Sequence, residues 1–199
     1  MYKIFIKRII DFILCFLALP FFLICYTFVA IAIKLDDGGP IFYSGERLGK
    51  NFKKYKMYKF RSMVIDASDI RNEDGSTYNS SFDKRVTKVG RVLRKLSIDE
   101  LPQILNVLKG DMALIGPRPS PSGNTHLYSK DYKRKFAVRP GITGYTQAYY
   151  RNGVSIEQKQ KSDIYYVDNL SFVLDIKVFF KTLLTVIKQE GIYTNKKLN

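Results

Sequence analysis

The longest unbroken apolar stretch of the chain is residues 12–33, FILCFLALPFFLICYTFVAIAI, and no charged side chain interrupts it. A helix of that run approaches the ~30 Å of a bilayer core. Lys3, Lys7 and Arg8 stand before it and Lys34 ends it. The run exceeds the usual signal-peptide core, and Asp36-Asp37-Gly38-Gly39-Pro40 follows where a cleavage site of small residues would fall, so we expect a retained membrane segment. Pro20 lies in the middle, where it removes a backbone donor and kinks a helix. Arg47, Lys50, Lys53, Lys54, Lys56 and Lys59 follow, so a straight span would leave one basic cluster on the wrong face. A helix bent at Pro20 would keep both clusters at one anionic surface. The pattern by itself leaves span and bend equally open.

Beyond the apolar run, GGPIFYSGERLG (38–49) reads as turn-rich with short apolar pieces. NFKKYKMYKFRSM (51–63) interleaves aromatics and bases in near-alternation, which predicts a strand or an interfacial ribbon. Residues 66–85 are polar and turn-prone, the expected loop. From Arg91 to Gly110 the pattern is helical with a break near Ser97. Residues 126–136 are polar, 139–153 suit a loop or short strand, and helical pattern returns from Ser155 through Tyr166. A last helix, about Ser171–Glu190 and stopped by Gly191, spaces Phe172, Val173, Ile176, Phe179, Phe180, Leu183, Leu184 and Ile187 for one face. That face suits a core, or a helix lying flat in the headgroup layer.

Charge narrows the partners. Lys and Arg number 33 against 18 Asp and Glu, a formal net charge of +15, which calls for an anionic partner: nucleic acid, acidic lipid or phosphorylated metabolite. Cys15 and Cys25 both lie in the apolar run and His126 is the single histidine, so a Cys/His zinc site is excluded. Chemistry must come from carboxylates, cations and hydroxyls.

One stretch offers such chemistry: LSIDELPQILNVLKGDMALIGPRP, residues 96–119. Ser97 and Glu100 fit a capping box, Pro102 suits a first helical turn, and Asp99 would favour the same turn through the helix dipole. Capping alone thus accounts for both acids. Against it, acids at a helix start stay ionised, and an ionised carboxylate among cations is a competent nucleophile. A helix start also accepts phosphate, and a divalent cation would screen the two anions. Arg94 precedes the pair by five residues, and Arg118 stands between two prolines with a fork that matches phosphate oxygens. These features point to phosphoryl chemistry without excluding the plain cap.

KRIIDF, YKFRSM, LRKLSIDELPQILNVLKGDMALIGPRP, RPGITGYTQ and DIYYVDNLSFVLDIK closely resemble, in the same order, the small monotopic phosphoglycosyl transferases of bacteria. The similarity runs from about residue 3 to 191. The resemblance implies an α+β, mainly helical protein: a re-entrant membrane helix broken at Pro20 (1–35), a catalytic domain with interfacial amphipathic helices and short strands (36–191), and a polar tail (192–199). It implies that Asp99 and Glu100 form the catalytic dyad beside Mg2+, with Asp99 attacking the β-phosphate of a UDP-sugar. UMP leaves, a phosphosugar stays on the aspartate, and undecaprenyl phosphate then accepts it. Lys59, Arg94, Arg118 and Arg151 would handle phosphates or uridine. It also implies the cytoplasmic face of the bacterial inner membrane, anionic lipids as neighbours, and no nucleic-acid partner.

Two departures bear on specificity. Tyr149-Tyr150 stands before Arg151 where the family has a glycine, and SPSGN (120–124) replaces an apolar stretch after the PRP arginine. The sugar therefore stays unassigned. Other motifs carry little: Gly45-x3-Gly49-Lys50-Asn51 is one residue short of a P-loop and reads as a turn. His126 lies in a polar run and reads as solvated. A rival class, a basic membrane-associated nucleic-acid-binding or scaffold protein, rests on net charge and segment 51–63.

Overall fold

The computed structural model describes residues 2–70, 78, 80, 82–150 and 154–188. Helix α1 (Lys7–Asp37) contains the whole apolar run, with Pro20 inside it. Gly38 ends it at φ 70°, a conformation that favours glycine, and donates its N–H to the Lys34 carbonyl at 3.2 Å. Mean hydropathy reaches 2.5 over its most apolar window, of which only 17% is buried. The buried residues, Lys7, Asp11, Cys15, Phe22, Val29 and Ile33, recur at four- and seven-residue intervals, one stripe of a helix. The remaining surface exposes Ile9, Phe12, Leu17, Phe21, Ile24 and Phe28, among others.

Strands β1 (Phe42–Leu48) and β2 (Lys54–Phe60) form an antiparallel pair with Phe42 opposite Phe60 and Gly45 opposite Met57. The strand expected in 51–63 is therefore present. Gly45 sits within β1 rather than in the turn its motif suggested, because the strand needs seven residues to match β2. After the polar connection come α2 (Lys88–Lys95), a short 3-10 turn (Ile98–Glu100) and α3 (Gln103–Lys109). The break near Ser97 falls where expected, although α2 begins three residues before Arg91. Strand β3 (Ala113–Ile115) pairs in parallel with β5 (Gly141–Thr143), and the two-residue β4 (Ser120–Pro121) adds to β1. Short helix α4 (Tyr145–Tyr149), which the sequence pattern did not indicate, precedes α5 (Ile156–Asp168) and α6 (Phe172–Lys188). Gly191, the expected stop, lies outside the described residues.

Helix α1 packs along α2, α3 and β3. Phe22 stacks on Phe60 with ring centroids 6.2 Å apart, and Tyr26 on Phe42 at 5.6 Å. At its start, Arg8 donates to the Val107 and Leu108 carbonyls, and Lys7 pairs with Asp175 at 2.8 Å. At its end, Asp37 pairs with Arg61, and Asp36 accepts the Val89 N–H at 3.0 Å. Both ends and the middle of α1 are thus fixed to one globular body.

Helix α6 faces the opposite way from an ordinary core helix. Only Asp175 and Val178 are buried, while all eight apolar residues of its predicted face are exposed, Ile187 by 76%. The side turned to the protein combines the buried Val178 with polar contacts: Thr182 shares a 2.9 Å hydroxyl bond with Thr143, and Thr185 donates to the Ala148 carbonyl at 3.0 Å. Asp175 there accepts from Lys7, Tyr2 and Tyr166. The headgroup-layer alternative fits this orientation; the core alternative does not, since a water-facing helix would bury its apolar side.

Removing one partner of a buried ion pair strands the other charge. Lys7→Met should lower stability by about 3–5 kcal/mol and Tm by roughly 10 °C. Thermal unfolding in detergent checks this against Lys177→Met, an exposed control expected to be neutral.

Candidate active site

The two acids sit in the 3-10 turn between α2 and α3, and the geometry departs from a capping box. Ser97 has a left-handed backbone, φ 58°, and its side chain caps nothing. A capping residue needs an extended backbone, so termination of α2 removes Ser97 from that role. Glu100 instead accepts a hydrogen bond from Lys59 Nζ. The plain capping account of both acids is thereby lost.

Four of the expected residues meet here. Lys59 arrives from the end of β2, opposite Tyr43. Arg94 comes from the last turn of α2 and donates Nε to Ser62 Oγ at 3.0 Å. The approach of α2 depends on Gly90, where a Cβ would stand 2.1 Å from the Ser62 carbonyl. Asn106 fixes β2 from the other side: it donates to the Lys56 carbonyl at 2.8 Å and accepts the Tyr58 N–H at 2.9 Å. Strand, helix and acidic turn are thus locked around one point.

Asp99 is buried and Glu100 half-buried. Burial pushes the Asp99 carboxyl up to about 6; Glu100 adds to the rise, while Lys59 and Arg94 oppose it. The sequence argument expected a freely ionised acid at a helix start. Here the turn is three residues long and dry, so desolvation outweighs the dipole. For Glu100 burial also disfavours the charge, but the Lys59 and Arg118 cations outweigh it and hold its carboxyl below the usual range. The pair is therefore split: Glu100 is a fixed anion, Asp99 a desolvated carboxylate titrating just below neutrality. Such a group combines ionisation at neutral pH with raised basicity, which suits a nucleophile.

Arg118 is exposed, within electrostatic reach of Glu100, on the segment after β3. Pro117 beside it is fully buried. The Arg118 carbonyl accepts from Lys135 Nζ at 2.9 Å, and the same ammonium pairs with Asp163 at 2.8 Å and donates to Tyr132 Oη at 2.7 Å. Thr146 supplies a further bond to Asp163 at 2.9 Å. This buried cluster, which fixes the backbone at Arg118, was missed in the sequence because Lys135 lies in a polar run with no periodicity to mark it as interior. Arg151 lies outside the described residues. His126 is exposed, in keeping with the solvated reading.

Among the described residues no three His, Cys, Asp or Glu side chains cluster as a metal cage. Asp99 and Glu100 are two adjacent carboxylates, a donor set compatible with Mg2+, which is commonly held by one or two carboxylates with substrate phosphates completing its shell.

The α+β chain thus combines one helix apolar enough to cross a membrane with a carboxylate pair that has Lys59 and Arg94 beside it. The chain belongs to the bacterial sugar transferase family, whose model matches residues 2–189. It is 43% identical over 192 residues to the "uncharacterized sugar transferase EpsL" of Bacillus subtilis (strain 168), covering 94% of this chain and 90% of that protein. It is 36% identical over 198 residues to the "exopolysaccharide production protein ExoY" of Sinorhizobium fredii, covering 94% and 88%. Similarity also reaches the UDP-N-acetylgalactosamine-undecaprenyl-phosphate N-acetylgalactosaminephosphotransferase of Aeromonas hydrophila, at 39% identity over 193 residues. There the match covers 94% of this chain but only 45% of the longer protein.

Lys59 is the first cation opposing the rise of Asp99. Lys59→Met should therefore move the Asp99 titration above about 6. Carboxyl 13C NMR of the full chain, titrated through neutral pH, reads that upward shift, and an unchanged Asp99 titration would remove Lys59 as its main opposing cation.

Proposed function

We propose that the protein transfers a sugar-1-phosphate from a UDP-sugar to undecaprenyl phosphate, using Asp99 as the nucleophile. The observation that carries this reading is the split dyad: a buried carboxylate pushed up to about 6 beside a lysine-held glutamate, with arginines on two sides. An Asp99 carboxylate oxygen attacks the β-phosphorus, and the bond from that phosphorus to the bridging oxygen breaks. UMP departs with the bridging oxygen, leaving an aspartyl-phosphosugar. An oxygen of undecaprenyl phosphate then attacks the same phosphorus, releasing the carboxylate and forming undecaprenyl-diphosphate sugar.

Lys59 and Arg94 hold the donor's phosphate oxygens near the dyad, and Arg118 offers its fork to the departing or entering phosphate. Arg151 is assigned to the same set by sequence register alone. Mg2+, held by Asp99, Glu100 and substrate phosphates, would lower the repulsion between carboxylate and phosphate. Glu100 keeps its charge through Lys59 and orients the neighbouring acid.

The reading extends to membrane placement. Both ends of α1 contact the same globular body, and α1 and α6 turn apolar surface outward. A re-entrant α1, bent at Pro20 in the bilayer with the domain of residues 36–191 on the cytoplasmic face of the inner membrane, satisfies both facts and the positive-inside rule. The nucleic-acid alternative keeps the net charge but only part of its stacking surface, since Tyr55 and Phe60 of the aromatic-basic segment are buried and Phe52 is exposed.

The test supplies UDP-sugars one at a time with polyprenyl phosphate and measures UMP, with mass spectrometry of the trapped protein. Wild type should release UMP and carry the adduct on Asp99; near-normal turnover by Asp99→Asn removes that residue from the mechanism. Adduct formation should rise with pH through about 6 and level off, following Asp99 ionisation. Stability runs the other way. A carboxyl raised from 3.8 to about 6 stabilises the fold fully below 3.8 and loses that contribution as pH rises through about 6. Asp99→Asn should thus raise Tm at pH 7.5 by a few degrees, on the order of 1–3 kcal/mol, while abolishing turnover.

A further inference from the structure

A second concentration of charge lies away from the dyad. A cavity of about 40 Å³ is lined by Lys3, Lys7, Arg8, Lys50 and Arg139, with Asp11 the one acid among its lining residues. By the same measure a water occupies about 10–15 Å³, so the space suits three or four oxygen-sized atoms. Lys7 is already answered by Asp175 at 2.8 Å and Asp11 at 3.6 Å. Lys3, Arg8, Lys50 and Arg139 therefore face the cavity with no further carboxylate in its lining.

Part of this charge has a structural purpose. Arg8 donates to the Val107 and Leu108 carbonyls, and Arg139 donates Nε to the Gly110 carbonyl at 2.8 Å, so both guanidinium groups satisfy the C-terminal end of α3. One cation would serve that end. Two are crowded there: burial and then Arg8 make Arg139 less basic than usual, and Asp11 and Asp111 only partly offset them. An anion between them would relieve the repulsion; Lys50 is not among the donors to these carbonyls, and Lys3 reaches only the Asp168 carbonyl, at a long 3.4 Å.

Position identifies the anion's carrier. The cavity lies at the start of α1, and the edge of Tyr2 packs on Phe172 at 5.8 Å, joining the starts of α1 and α6. The π-helical turn before α1 (Tyr2–Ile6) exposes Phe5, the first turn of α1 exposes Ile9, and that of α6 exposes Phe172 and Val173. A lipid with tails along these apolar surfaces would bring its phosphate to the cavity. The dyad precedes α3 while the cavity adjoins the opposite end of that seven-residue helix, about 10 Å along its axis, so a phosphate here does not touch Asp99. We infer that the Lys3–Arg8–Lys50–Arg139 cavity seats the phosphate of a membrane lipid headgroup, a site distinct from the dyad. The inference rests on the lipid-facing reading of α1 and α6, and on nothing in the transfer mechanism.

The test uses the full chain in neutral detergent, titrated separately with phosphatidylglycerol, polyprenyl monophosphate, phosphatidylcholine and inorganic phosphate, with bound lipid counted by native mass spectrometry. The site variant is Lys3→Gln with Lys50→Gln; the control of equal charge loss is Lys130→Gln with Lys133→Gln, exposed and remote from the lining. The expected result is one tightly held phosphatidylglycerol or polyprenyl phosphate per chain, weakened about tenfold in the site variant and unchanged in the control. Which of the two lipids binds names the source. Equal weakening in both variants reduces the effect to bulk charge and overturns the site, as does displacement of lipid by inorganic phosphate at equal concentration. Flotation of wild type on phosphatidylcholine vesicles separately reports membrane seating, so failure there sinks the placement of α1 and α6 while the adduct count still judges the cavity.

Discussion

Lys7 and Asp175, 168 residues apart, meet as a buried ion pair 2.8 Å long, and the orientation of both apolar helices depends on it. Asp175 lies on the inner side of α6 beside Val178, and Lys7 on the inner side of α1 in line with Cys15, Phe22, Val29 and Ile33, so the pair joins the two inward-facing stripes. Tyr2 and Tyr166 also donate to Asp175, and Tyr166 lies 3.0 Å from the Ile115 carbonyl. A buried charge held this completely cannot rotate outward without a large desolvation cost being wasted. The apolar residues of α1 and α6 are left outside as a consequence, which in water would be a liability and in a membrane is an anchor.

The active site relies on a different kind of constraint, close approach of backbones. Gly90 lets α2 settle against Ser62, and Asn106 ties β2 to α3, so Lys59, Arg94 and the acidic turn converge without any of them lying on a long rigid element. Burial then separates the two neighbouring acids electrostatically. Lys59 bonds Glu100 rather than Asp99, leaving Asp99 the dry member of the pair. Division of labour between adjacent carboxylates follows from which one a single ammonium reaches.

The proposed site residues stood out as a local motif and by resemblance, since Asp99, Glu100 and Arg118 fall within one contiguous stretch. Less legible was their state. A helix-start argument gave a capping box and an unhindered acid; left-handed Ser97 removed the first and burial the second. Lys135, Asp163 and Thr146, which fix the backbone at Arg118, carried no signal because polar residues in irregular segments reveal nothing about burial.

From the order of residues alone came the long apolar helix, the β2 strand, the broken helix around Ser97, and α5 and α6, because hydrophobic period and capping residues act over a few neighbours. Membership of the sugar transferase family was likewise written in contiguous motifs. Which side of α6 meets the protein was decided only by the fold, since the same amphipathic pattern serves a core or a lipid surface until a distant Lys7 claims Asp175. The basicity of Asp99 was decided there too, because desolvation is a property of what surrounds a carboxyl in space, and those surroundings come from β2, α2 and the PRP segment together.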